Sequence, residues 1–223
     1  MPGSISHELD TLQRKLLVMA GHAETAVTHA LRAFTERNSD LARQVRQDDS
    51  ILDGFEKEMD HLAIDLLARA GLANDMRLIT VAMKISNDLE RIGDEATTIA
   101  RCVLALNGEP LLRTEVDLAG MAGLGLAMLK EALEAFVRRD PAQARAIIPR
   151  DKQIDALNKQ LHRELAGLMT EQAATIPRSL QLMTISKSLE RIGDHATNIA
   201  EVVVYLHGGE DIRHDPKVKR GAG

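Results

Sequence analysis

The hexapeptide LERIGD occurs at Leu89–Asp94 and again at Leu189–Asp194. Both copies sit in stretches whose apolar residues recur every three or four positions, the spacing of one helix face. A glycine inside a helix costs about 1 kcal/mol relative to alanine, so one repeated at the same place needs a physical reason. The match extends outward on both sides. An offset of 102 pairs Met19 with Met121, Gly21 with Gly123, Phe34 with Phe136, Asp49 with Asp151 and Asp53 with Asp155. An offset of 100 pairs Met83 with Met183, Ile85 with Ile185, and Ala96, Thr97, Ile99 and Ala100 with Ala196, Thr197, Ile199 and Ala200. A repeat this long is a duplicated domain-sized unit, not a short solenoid repeat.

Each copy reads as three helices. In the first, Leu9, Leu12, Leu16, Met19, Ala23, Ala26, Ala30 and Phe34 form one seam. Ser39-Asp40 signals a second start, with a seam of Leu52, Phe55, Met59, Leu62 and Leu66 running to Gly71. A third helix runs from about Asp75 to Leu106 and stops at Asn107-Gly108. In the second copy Asp140-Pro141 reads as an N-cap followed by proline at the first helical position, and Pro149 should kink or restart the helix it lies in. Ile176-Pro177 opens the sixth helix and Gly208-Gly209 closes it. No strand-like alternation runs for more than a few residues. The fold class is therefore all-α: two tandem three-helix bundles, six long helices, related by internal duplication. The first bundle is predicted over 5–108, the second over 109–208, and 209–223 is expected to be a disordered tail.

Composition agrees. Of 223 residues, 44% are hydrophobic but only 2% aromatic, so Leu, Ala, Ile, Val and Met must fill the core, which suits packed helices. The net charge of −5 argues against nucleic acid as a partner. Cys102 is the only cysteine, which excludes an internal disulfide or a thiolate metal site and fits a reducing cytosol. No signal peptide and no apolar run of spanning length is visible, so a membrane role would run through partners.

The acidic residues fall off the apolar seams. On the sixth helix, Leu189, Ile192, Ala196, Ile199 and Val203 share one face, and Glu190, Asp194, Asn198 and Glu201 form a column on the opposite one. Asp49/Asp53 and Asp151/Asp155 flank the seam of the second helix in each copy, facing the groove beside the third. Such a column is expected to point out of its own bundle. Like charges four apart cost a few tenths of a kcal/mol. Clustered carboxylates with an amide oxygen suit hard or borderline cations, which would relieve that repulsion. Lys187 and Arg191 are the nearest offsetting charges in sequence. Gly93 and Gly193 lie between the apolar and acidic faces, where a missing Cβ lets a neighbouring helix approach.

DLERIGDEATTIA at Asp88–Ala100 and SLERIGDHATNIAE at Ser188–Glu201 resemble the two signature segments of the PhoU family, over about residues 5–207. The resemblance implies a fold of two three-helix bundles and no catalysis. It implies metal binding on the bundle surface, with iron first and Mn, Mg or Zn as alternatives, through Glu90/Asp94 and Glu190/Asp194 with Asp49/Asp53 and Asp151/Asp155. It implies a cytoplasmic regulator of phosphate uptake. Its partners would be the ATPase subunit of the phosphate ABC transporter and a membrane sensor histidine kinase, with repression when phosphate is plentiful. The oligomeric state, a homodimer included, stays open. Where the second copy has Asn198 and Glu201, the first has Thr98 and Arg101, so the second site is expected to bind metal better.

Two other readings stand beside this one. A di-iron oxidase needs Glu-xx-His pairs projecting into a bundle core. The only such pair is Glu58 with His61, placed away from the seam, and the second copy has Gln160 and Arg163 there. A metal-free adaptor would use the same acidic columns as docking surface, in this or another phosphate or cation carrier system. His61, His162 and His195 are expected to be exposed, with His195 beside Asp194 placed to add a nitrogen ligand, and Cys102 is expected to be inert.

Overall fold

The structure, a computed structural model, describes residues 5–209 and 212. Among these the chain forms helices α1 (Ile5–Thr35), α2 (Ser39–Leu67), α3 (Ala73–Asn107), α4 (Leu118–Arg138), α5 (Pro141–Ile147), α6 (Asp151–Glu171) and α7 (Ile176–Gly208), and no strand. The tail expected to be disordered lies, beyond Gly209, almost wholly outside the described residues.

The duplication is visible in the turns as well as the helices. After α1, Arg37 adopts a left-handed backbone (φ 50°), and after α4 Arg139 does the same (φ 57°). In each turn the next residue's N–H returns to a carbonyl of the finished helix, Asn38 to Ala33 at 2.9 Å and Asp140 to Ala135 at 3.0 Å. That same residue caps the next helix. Asn38 Oδ1 accepts from Leu41 N at 3.0 Å, and Asp140 Oδ1 from Ala142 N and Gln143 N, both at 2.9 Å. The cap before α2 is thus Asn38, one residue ahead of the start signal read from Ser39-Asp40.

α1, α2 and α3 pack on one another, and α4 and α7 pack together with the α5–α6 arm. The seams close as their spacing predicts. Leu12, Leu16, Met19, Met59, Leu66, Ile85, Leu89, Ile92 and Ile99 are fully buried in the first half, and Met121, Met128, Ile154, Leu161 and Ile185 in the second. Each such side chain contributes roughly 1.5–3 kcal/mol before the cost of ordering it. The buried hydroxyl of Ser86 meets Met19 Sδ at 3.3 Å, and its equivalent Ser186 meets Met121 Sδ at 3.7 Å and Asn158 Oδ1 at 2.7 Å.

The fifth predicted helix is interrupted where Pro149 stands. α5 ends at Ile147, a single 3₁₀ turn covers Ile148–Arg150, and α6 begins at Asp151. Proline lacks the N–H that would continue the ladder, and its ring crowds the preceding turn. Arg150 holds the bend by an ion pair to Glu131 at 2.6 Å.

α3 and α7 are the central pair. They run antiparallel against each other and join the two halves. Being covered on several sides, they bury polar residues too: Asp88, Glu95, Glu190 and Glu201 are all less than 10% exposed. Arg191 Nη1 reaches Glu95 Oε1 at 3.1 Å, and His195 Nδ1 and Asn198 Nδ2 lie 2.8 and 3.2 Å from Asp88 Oδ1. Arg77 and Lys84 lie over the ring of Tyr205, at 5.4 and 5.9 Å from its centre.

Candidate functional site

The first carboxylate groove lies between α2 and α3. Burial pushes the Glu90 carboxyl up from its ordinary value, and Asp94, Glu56 and Asp53 push it further, against the pull of Arg91. Asp94 is raised in the same way, by burial first and then by Asp49 and Asp53 against Arg91. One guanidinium serves both members of the Glu-xxx-Asp pair. Arg91 Nη1 bonds Asp94 Oδ2 at 2.9 Å, and its Nε lies 3.3 Å from Glu90 Oε2. That Glu90 oxygen is buried without a hydrogen bond. Thr97 donates to Asp49 Oδ1 at 2.9 Å, and Asn87 to Glu56 Oε1 at 3.0 Å.

The second groove lies between α6 and α7. Burial raises the Asp194 carboxyl, and Glu190 and Asp155 add to it, against Lys187. The counter-charges are arranged differently. Lys187 bonds Glu190, and Lys159 lies 3.6 Å from Asp155. Arg191, the equivalent of Arg91, turns across to Glu95 instead. Asp194 therefore lacks the guanidinium bond that Asp94 has.

The two glycines shape these grooves. A Cβ on Gly93 would collide with the end of the Leu52 side chain. One on Gly193 would stand 2.7 Å from Ile154 Cδ1 and 3.3 Å from Asp151 Oδ1. Each glycine lets an apolar residue of the preceding helix seat against α3 or α7, which brings the flanking aspartates alongside the Glu-xxx-Asp pair.

Whether these residues fit a cation divides into chemistry and geometry. The donors are oxygens, crowded and partly desolvated, and one buried oxygen in the first groove makes no hydrogen bond. That set suits a hard or borderline ion. Yet among the described residues no three His, Cys, Asp or Glu side chains converge closely enough to hold an ion as they stand. Closure needs carboxylate rotation and release of Arg91 or Lys187.

Three expectations change. The α7 column does not face open solvent as one unit. It spans twelve residues, about 16 Å of helix, and its neighbours change along that length. Glu190 and Asp194 lie by α6, Asn198 bonds Asp88 of α3, and Glu201 lines a cleft with Glu56 and Asp60. The carboxylates lie between helices, Glu190 and Glu201 buried and Asp194 half-buried, not displayed. Second, Arg101 lines a cleft with His162 and Lys187 of the second half, apart from the first groove, while Thr98 lines that cleft and also one beside Asp94. Third, His195 is only 21% exposed and is engaged by Asp88, and His162 is partly covered with its Nε2 unpartnered. His61 is exposed, and Glu58 pairs with Lys15 at 2.6 Å on the surface, away from any core. Cys102 is buried, which pushes its thiol up.

Asp88 and Glu95 were not singled out from the sequence, although they cross-link the halves. The signal lay in the repeated segments. Asp88 faces Ser188 in the alignment of copies, and Glu95 faces His195. Where two otherwise matching copies differ by a charge, the structure places a contact that the duplication alone could not make.

Comparison with known proteins bears on both halves. The family model for the PhoU domain matches residues 16–103 and 118–203. The chain is 38% identical over 208 residues to a Rhizobium meliloti protein named phosphate-specific transport system accessory protein PhoU homolog, covering 92% of this chain and 88% of that one. It is 34% identical to the Escherichia coli protein named phosphate-specific transport system accessory protein PhoU, covering 95% and 88%. The crystal structure of PhoU from Pseudomonas aeruginosa superposes with a TM-score of 0.90 at 39% identity, covering 93% of this chain and all of that one. The Streptococcus pneumoniae phosphate transport system regulatory protein PhoU superposes at 0.87 and 32%, covering 93% and 98%.

Proposed function

The chain belongs to the PhoU family, and we propose that it regulates phosphate uptake and phosphate-responsive signalling as a non-catalytic interaction protein. The observation that carries this reading is the likeness of both halves, over nearly the whole chain, to proteins named as accessory to phosphate-specific transport. The finer assignment is to the ATPase subunit of the phosphate ABC transporter and to a membrane sensor histidine kinase. The chain would work in the cytoplasm and restrain uptake when phosphate is plentiful. No described helix is long and apolar enough to cross a membrane, so a place at the membrane would come through those partners.

Metal binding is part of the proposal. Glu190 and Asp194 with Asp151 and Asp155 would hold one ion or cluster, and Glu90 and Asp94 with Asp49 and Asp53 another. The bound cation supplies positive charge among carboxylates that burial and mutual repulsion have made reluctant to ionise. Arg91 and Lys187 already supply part of that charge, and each must leave its carboxylate for an ion to enter. The second groove is the better site, because Asp194 is not held by a guanidinium while Arg91 holds both Glu90 and Asp94.

Pull-down with the transporter ATPase and the kinase tests the partner assignment. Wild-type chain should retain one or both, and failure with both overturns it. Elemental analysis of protein purified without a metal-affinity tag tests the metal. Iron, manganese, magnesium or zinc should co-purify and be lost when Glu190 and Asp194 are changed to Ala. A second reading, a metal-free adaptor, has an observation of its own: Arg91 and Lys187 already neutralise part of each groove, and no closed ligand set stands ready. Metal-free protein that still retains both partners would favour it.

A further inference from the structure

The boundary between α3 and α7 opens into a series of clefts, and its two ends are equivalent under the duplication. At one end Glu56 and Asp60 of α2 join Asp88 of α3 and Glu201 of α7, with Lys84 as the one cation among the described residues, in a cleft of about 550 Å³. At the other end Arg101 of α3, Lys187 and Arg191 of α7 and His162 of α6 surround Glu95, in a cleft of about 470 Å³. The central cleft, about 700 Å³, is mixed, with Arg91 and Arg191 facing Asp94, Asp194 and Glu95.

The copies diverge between the ends in one direction. Asp60 becomes His162, Asn87 becomes Lys187, Asp88 becomes Ser188, and Arg101 stands where the other copy has Glu201. Lys84, equivalent to Thr184, and Glu95, equivalent to His195, go the other way. The residues come from four helices in both halves, so no single helix pattern produces the segregation. A solvated surface with no partner gains nothing from gathering like charges, and nearby like charges cost stability.

The clefts share residues and form one groove. Glu95, Thr98 and Arg191 line both the central and the basic cleft, and Asn198 both the central and the acidic one. On α3 the lining residues from Lys84 to Arg101 fall at helical spacing on one face, a length of about 26 Å at 1.5 Å per residue. The ends also carry apolar contact surface: Met83 at the acidic end, Met183 and the half-exposed Leu180 at the basic end. We propose that this groove receives one amphipathic α-helix of a partner protein, about 18 residues long. Its acidic residues would lie at the Arg101 end and its basic residues at the Asp60 end. Apolar residues would supply contact, and the charge gradient would set direction and speed encounter. The inference rests on the interaction-protein reading only for who owns the helix, and it does not require metal.

The test uses fluorescent synthetic 18-residue helical peptides, with anisotropy read in chelator at low and physiological salt. One peptide carries Glu in one half and Lys in the other, a second has the same composition with charges alternating, and two more are all-Glu and all-Lys. The segregated peptide should bind the full chain about ten-fold or more tighter than the alternating one, a difference of about 1.4 kcal/mol. Arg101→Glu should shift preference toward the all-Lys peptide, and Asp60→Lys toward the all-Glu peptide. Both sites are at the surface and outside the carboxylate grooves, and circular dichroism checks the fold. Equal binding of segregated and alternating peptides overturns the proposal. So does all-Glu binding as tight as segregated, which would mean a simple anion site. Self-association of the chain that Arg101→Glu abolishes would make a second copy the occupant and overturn it too. Loss of partner pull-down with intact peptide preference would instead fault the partner assignment above.

Discussion

The two halves spell LERIGD identically and differ in what the arginine does. In the first half Arg91 folds back onto Glu90 and Asp94 of its own groove. In the second, Arg191 leaves its groove and crosses to Glu95. The cause is one substitution between copies. Glu95 offers Arg191 a carboxylate across the boundary, whereas its equivalent His195 offers Arg91 none and itself turns to Asp88. A duplicated motif therefore need not make a duplicated site, because its neighbours come from the other copy.

The largest expected effect tests that difference directly. In calorimetric metal titrations, Glu190→Ala with Asp194→Ala should abolish the tighter binding event and leave the weaker. Glu90→Ala with Asp94→Ala should do the reverse. Arg91→Ala should strengthen the weaker event roughly ten-fold, because an ion no longer has to displace a guanidinium. Equal affinities in the wild-type chain would break the ranking.

The glycines sharpen the comparison next. Gly193→Ala sets a methyl against Ile154 and the Asp151 carboxylate, and should cost about 1–3 kcal/mol in chemical denaturation. Both variants gain about 1 kcal/mol of helix propensity, but Gly93→Ala meets the far end of Leu52 alone, with no carboxylate beside it. It should be distinctly milder. An equal cost would mean that the first groove is packed as rigidly as the second.

The cross-links should show a smaller effect. Asp88→Ala and His195→Ala should each cost about 1 kcal/mol, and a double-mutant cycle should return a coupling energy of about 0.5 kcal/mol or more. An additive double variant would show the contact to be incidental.

The smallest effect concerns pH. Glu90, Asp94 and Asp194 have folded-state values above their unfolded ones. The folded chain thus holds these protons more tightly, and their contribution to stability is lost as pH rises through the folded values. Metal-free protein should gain stability from these groups as pH falls from neutral toward the carboxylate range. Glu90→Gln with Asp94→Asn and Asp194→Asn should flatten that part of the profile. Metal affinity should move oppositely, rising with pH as protons leave the ligands.

The helices were legible in the sequence because a seam such as Leu9, Leu12, Leu16 and Met19 states its own period, and the Pro149 break because proline has one backbone meaning. The acidic residues of the grooves were legible as types, since Asp49, Asp53, Glu90 and Asp94 lie just off the seams. Their surroundings were not. A helical wheel describes one helix in isolation and says which way Glu201 or His195 points, not that α3 of the other half lies there. The left-handed turns at Arg37 and Arg139 were also invisible, because no glycine marks them.

Arg37 has a consequence beyond its own turn. Its guanidinium donates to the carbonyls of Leu106, Asn107 and Glu109 at 3.1, 3.1 and 2.7 Å, fastening the exit of α3 to the α1–α2 corner. From the other side Arg178 bonds the Pro110 carbonyl at 3.1 Å, and Glu164 accepts from Glu115 N at 2.8 Å. The stretch from Gly108 to Asp117 is thus stitched to both halves, which already grip each other through α3 and α7. A protease nick there would leave a particle that still sediments as one, and two fragments produced separately should reassemble without the peptide bond that once joined them.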